Sequence, residues 1–185
     1  MFKTTLMAVL CAGVASATQV SHTVVLTNQR ESSTCGATAI GKHALLSAAH
    51  CFKADLPFMF VDGRQVALRS AIDDHNDHII YLIEGIAFGK FIPLTPAPVK
   101  KGDEVEYTDY QGYKKKGVVT AFGLQGPRHV TIVEADVRQG DSGSGVFDGP
   151  RLIGTVNFMY KTVPRNAFMY FFAFTPDEIS KAQEF

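Results

Sequence analysis

Ser142 stands in VRQGDSGSGVF (137–147), His50 in LLSAAHCF (45–52) and Asp77 in DDHNDHIIYLI (73–83). A serine hydroxyl is a weak nucleophile until a neighbouring base takes its proton and a third group orients that base. His50 ends an apolar run and is followed by Cys51, so its backbone can be fixed firmly enough to aim a ring. Asp77 opens the run Ile79–Ile83, where its carboxylate can be held near the core and orient an imidazole. Brought together, the three would perform acyl transfer on a carbonyl. The 73–78 stretch, with Asp73, Asp74 and Asp77 beside His75 and His78, also suits a solvated turn or a metal site. It lacks the glycine and terminal glutamate of a calcium loop. A His-x-x-His pair falls short of the three convergent ligands zinc needs, so no metal is expected. Replacing Asp73 or Asp74 is expected to be mild.

Positioning such groups requires a scaffold, and the chain reads as many short β segments. Val, Ile, Thr and aromatic runs fall at 22–27, 37–41, 43–48, 58–61, 65–71 and 78–84, then at 103–110, 116–123, 129–137, 144–148, 151–158 and 168–174. Asp62-Gly63, Gly126-Pro127 and Gly149-Pro150 punctuate them. Such spacing argues for an all-β sandwich or barrel. Lys114-Lys115-Lys116 between two glycines reads as a solvated hairpin tip, with a phosphate patch as the alternative. The proline-rich 93–102 stretch reads as a connector, giving an N-terminal half (18–92) with His50 and Asp77 and a C-terminal half (103–185) with Ser142. Only the tail predicts a helix: Thr175 as cap, Pro176 at the first turn and Glu178 completing a capping box.

Met1–Ala17 has a basic residue at Lys3, an apolar run from Leu6 to Val14 and Ala15-Ser16-Ala17 as a cleavage site. That is the layout of a secretory signal peptide, too short to span a bilayer. The expected location is therefore extracellular, or periplasmic in a bacterium. Cleavage leaves two of three cysteines, Cys35 and Cys51, as a disulfide candidate; two buried thiols are the alternative. With 18 basic and 18 acidic residues the formal charge is zero, which gives no support for nucleic acid as the main partner, since that would favour a basic face.

SAAHC (47–51), NDHIIYLI (76–83) and GDSGSG (140–145), in the order His, Asp, Ser, resemble the signatures of the chymotrypsin-like (trypsin-family) serine proteases. The resemblance runs from about Cys35 to the final helix. It implies two six-stranded antiparallel β-barrels with the site between them and a short C-terminal helix. It further implies a secreted endopeptidase with catalytic His50, Asp77 and Ser142, and an oxyanion hole from the amides of Gly140 and Ser142. Cys35-Gly36-Ala37 resembles the strand whose cysteine pairs with the one after the histidine, here Cys51. A polypeptide substrate, a monomer, no cofactor and no membrane contact after cleavage complete the expectation.

If Leu152–Met159 matches the family's L-V-G-I-V-S-W-G strand, Asn157, Phe158 and Met159 bind substrate, and Met159 and Phe168 fall at pocket-wall positions. Asp136, six residues before Ser142, would lie at the pocket floor and favour arginine or lysine. The other reading pairs Asp136 with Arg138 along the strand. Ser144-Gly145 replaces the family's Gly-Pro, and no activation sequence precedes Cys35, so the partner of Asp141 stays open. A non-catalytic binding module and a viral-type polyprotein-processing protease are the alternative functions. An α/β-hydrolase is excluded, because its G-x-S-x-G elbow needs glycine where Ser144 stands.

Overall fold

The computed structural model describes residues 23–28, 33–52, 57–95, 98–125, 128–159, 166–170 and 172–185; the expected signal peptide at 1–17 lies outside these. Six antiparallel strands close the first barrel: β1 (Thr23–Asn28), β2 (Ser33–Ala39), β3 (Ala44–Ala48), β4 (Phe58–Val61), β5 (Arg64–Asp73) and β6 (His78–Glu84). Their order around it is β1-β2-β3-β6-β5-β4. β6 is buried on both faces, which explains its unbroken apolar run. Ile79, Tyr81 and Ile83 point into the barrel with Leu45 and Met59. Ile80 and Leu82 face outward with Leu46, against Phe147, Leu152, Phe174 and Ala182 from the second half. Each such side chain contributes roughly 1.5–3 kcal/mol when fully buried, so this second cluster holds the two halves together.

The second half departs from the expected closed six-stranded barrel. β7 (Glu104–Thr108), β8 (Lys114–Gln125), β9 (Arg128–Ala135), β10 (Gly145–Asp148), β11 (Arg151–Thr155), β12 (Phe158–Met159) and β13 (Asn166–Tyr170) form one seven-stranded sheet, ordered β11-β10-β7-β8-β9-β13-β12. It curls into a half-barrel until β11 meets β13: a Cβ on Gly154 would sit 2.1 Å from Met169 Sδ. Lys114–Lys116 are strand residues, not a hairpin tip. They pair with Thr108, Tyr107 and Glu106 of β7. The turn lies at Asp109–Tyr113, where the Asp109 carboxylate accepts the amides of Gln111 (3.0 Å) and Tyr113 (2.8 Å). Helix α1 (Pro176–Glu184) starts as its sequence predicts, with Thr175 and Glu178 in a reciprocal capping box.

Cys35 and Cys51 form a disulfide with Cα atoms 6.1 Å apart. It staples β2 to the single 3₁₀ turn Ala49–Cys51 that carries His50. For a loop of this size the chain-entropy contribution is about 3 kcal/mol. Replacing both cysteines with serine is expected to lower stability by roughly 2–5 kcal/mol, measured by urea unfolding.

Candidate active site

His50 and Asp77 meet because of strand pairing. β3 and β6 run antiparallel in a register that sets Ala48 opposite His78. The residues just past the end of β3 therefore lie beside those just before β6. The Ala49 amide donates to the Asp77 carbonyl at 3.0 Å, extending the ladder one step. His50 Nδ1 then lies 2.9 Å from Asp77 Oδ2 and 3.0 Å from Oδ1. The His50 amide donates to the same Oδ1 at 3.1 Å. The histidine side chain is 45% exposed and the aspartate 12%, so the ring is open to solvent while its orienting acid is largely covered.

Asn157 stands behind Asp77, donating from Nδ2 to the Asp77 carbonyl (2.8 Å) and to Oδ2 (3.3 Å). Its own Oδ1 accepts from Thr155 Oγ1 at 3.2 Å. Expected to bind substrate, Asn157 is almost wholly buried and orients the acid, although it also borders the cleft. The two residues are 80 apart in sequence, so no local pattern signals the contact.

The Ser142 loop is held by its backbone between the first barrel and the residue that follows β11. The Gly36 amide donates to the Ser142 carbonyl (2.8 Å), and the Gly143 amide donates to the Val156 carbonyl (2.7 Å). Gly145 donates to Thr38 Oγ1 at 3.1 Å. Gly143 has φ +82°, and a Cβ there would sit 2.2 Å from Ser47 Oγ and 2.3 Å from the Gly36 carbonyl. Gly140 has φ +102°, with the Tyr110 ring 2.9 Å from where a Cβ would be. Both positions thus need glycine. The Gly140 and Ser142 amides donate to no group among the described residues.

His50 and Ser142 line one cleft of about 300 Å³ with Val137, Arg138, Gln139, Val156, Asn157 and Phe158. Asp136 is outside it. Rather than forming a buried floor, its carboxylate is 59% exposed and paired with Lys115 Nζ (3.5 Å) and Arg138 Nη2 (3.3 Å). It borders a different, charged depression with Glu104, Lys116 and Glu134. Met159 and Phe168 are strand residues paired in register with Ala167 and Phe158; their side chains lie outside what is described.

Asp141 is buried without any chain terminus beside it among the described residues. Its Oδ2 accepts the Arg138 amide at 2.9 Å and its Oδ1 the Tyr110 amide at 3.4 Å, while the Tyr107 hydroxyl lies 3.5 Å from Oδ2. Burial pushes its carboxyl above the usual range, with nearby Asp109 adding to the effect against the two amides and Lys115. Burial and the neighbouring carboxylates push the Tyr107 phenol up as well, so it stays a donor, bonded to the Asp136 carbonyl at 2.7 Å.

A family model described as Trypsin matches residues 12–77, the stretch that holds Cys35, His50, Cys51 and Asp77. No curated protein matches the chain in sequence. Among solved structures, the active form of the Rv3671c protease from M. tuberculosis superposes with a TM-score of 0.67 at 20% identity, covering 92% of this chain and 82% of that one. Kallikrein-related peptidase 10 in complex with Zn2+ gives 0.63 at 14% identity, covering 81% and 89%. The thermostable serine protease AL20 from an extremophilic microorganism gives 0.61 at 13%, again covering 81% and 89%. The fold is that of the chymotrypsin-like serine proteases. The Trypsin match adds a sequence likeness to that family over the stretch that holds His50 and Asp77.

Proposed function

We propose that the chain is a secreted serine endopeptidase working through Ser142, His50 and Asp77. The observation that carries this reading is the Asp77-held imidazole of His50 at the edge of the cleft that Ser142 also lines. His50 Nε2 takes the Ser142 hydroxyl proton as Oγ bonds to the scissile carbonyl carbon. The imidazolium then returns that proton to the leaving amine as the C–N bond breaks. Water repeats the two proton transfers to release the acyl group. The amides of Gly140 and Ser142, which donate to no group among the described residues, stabilise the oxyanion, each worth about 2.7–4 kcal/mol by analogy with similar holes. The segment at 1–17 supports secretion, as does the disulfide.

Primary specificity follows from the cleft walls. Cleavage after arginine or lysine needs a carboxylate in the pocket, and Asp136 is committed to two surface cations. Val137, Val156 and Phe158 offer an apolar wall instead, with Arg138 as the charged group of the described lining. The expected preference is for an uncharged apolar side chain before the scissile bond. A panel of fluorogenic peptides differing only there tests both claims. Hydrolysis of none overturns the endopeptidase reading; hydrolysis led by the arginine or lysine substrate overturns the specificity.

A further inference from the structure

The loop that delivers Asp77 takes an unfavourable path. His75 and Asp77 both have positive φ, 58° and 67°, in a region non-glycine residues seldom adopt. Such a conformation persists only where its surroundings over-determine it. Asp74 does so here. Its Oδ1 accepts the amides of Asn76 (2.8 Å) and His78 (3.0 Å). Its Oδ2 accepts His78 Nδ1–H (2.7 Å) and the Ala173 amide (3.0 Å). The side chains of Asp74 and His78 are both fully buried.

The rest of the pocket fixes the histidine's proton. His78 Nε2 is buried with no hydrogen-bond partner among the described residues, and the ring lies tilted against Phe172 (centroids 4.7 Å apart) and Phe174 (6.3 Å). A proton on Nε2 would be an unpaired buried donor, whereas on Nδ1 it meets the Asp74 carboxylate. Burial opposes charge on Asp74, yet the hydrogen bond from His78, with the Ala173 and Asn76 amides, holds its carboxyl below the usual range. The carboxylate form therefore prevails at neutral pH and accepts all four donors.

We propose that Asp74 and His78 form a buried clamp that positions Asp77, and through it His50, and that the Ala173 amide ties this clamp to the segment entering the C-terminal helix. The proposal rests on the reading of His50, Asp77 and Ser142 as the catalytic residues. Asp74 and His78 are positioning residues, since neither lines the cleft. It also reverses the expectation that replacing Asp74 is mild. Asp73, whose carboxylate is exposed, accepts the His75 amide (2.7 Å) and faces the exposed His75 ring (3.8 Å), and it keeps that expectation.

Asp74→Asn keeps the shape but loses an acceptor, His78→Leu removes the ring donor, and His78→Asn leaves an amide N–H near the place of Nδ1. The three are compared with the parent for thermal stability, peptide hydrolysis and the downfield proton resonance of His50 Nδ1–H in protein labelled with ¹⁵N-histidine. Asp74→Asn and His78→Leu are expected to lower kcat by about tenfold or more with KM unchanged, as misplacement of a catalytic group does. Both should displace or broaden the His50 resonance, and His78→Asn should restore both readouts towards the parent. Unchanged kcat and an unchanged resonance in folded Asp74→Asn, whatever its melting temperature, would overturn the clamp. If Asp74→Asn does not fold, the two His78 variants decide, and identical kcat and resonance in them overturns it equally. A parent that hydrolyses no peptide would defeat the functional reading instead, and the resonance would still report on the clamp.

Discussion

Ser142→Ala is expected to lower kcat for peptide hydrolysis by about 10⁶-fold, the scale seen when the nucleophile of such a constellation is removed. What remains comes from substrate binding and the oxyanion amides. The fold should be untouched. The structural contacts of residue 142 are made by its backbone, through the carbonyl that accepts the Gly36 amide, and the hydroxyl belongs to a partly exposed cleft side chain. Stability within about 0.5 kcal/mol of the parent is therefore expected. Substantial turnover by the purified variant would mean that another group attacks the carbonyl.

Asp77→Asn is expected to cost roughly 10⁴-fold in kcat, and the geometry gives the reason. Oδ1 accepts the His50 backbone amide at 3.1 Å, so an asparagine must keep its oxygen there. The NH₂ group then takes the place of Oδ2, 2.9 Å from His50 Nδ1. A donor at that point forces Nδ1 to accept, which moves the ring proton to Nε2 and leaves no base for the Ser142 hydroxyl. The same NH₂ would also face Asn157 Nδ2, now 3.3 Å from Oδ2. The effect should fall on kcat, with the disulfide and the β3–β6 ladder holding the backbone in place. Single-turnover acylation with an activated ester measures it directly. A loss smaller than about tenfold would remove Asp77 from the mechanism.

Features written in contiguous residues were legible in the sequence. The capping box of Thr175 and Glu178 depends on residues three apart, and it appears as read. The apolar run of β6 and most turn-bounded strands of the first barrel are equally plain, because period and punctuation carry them, whereas β2 starts at Ser33, ahead of the expected 37–41 segment. Lys114–Lys116 lie in β8 and not at a hairpin tip, although glycines flank them. The Asp109 side chain closes the turn earlier, and Lys115 then bridges Asp109 (3.7 Å) and Asp136 from within β8. In that bridge the Asp136 side chain stays 59% exposed. The bridge joins residues 21 apart across the β8–β9 pair, and no spacing rule reports it. The Asn157–Asp77 and Ala173–Asp74 contacts are hidden for the same reason, since each reaches the acidic loop from the far half of the chain. Curling of seven strands in place of closure by six depends on how β11 and β13 approach, which is likewise a long-range property.

The most direct measurement is covalent labelling of the folded, purified protein with a fluorophosphonate, followed by peptide mapping in a mass spectrometer. The account predicts one equivalent of adduct, on the peptide that contains Ser142, absent in Ser142→Ala and formed far more slowly in His50→Ala. No adduct on the folded parent, or an adduct on a different serine, would contradict it.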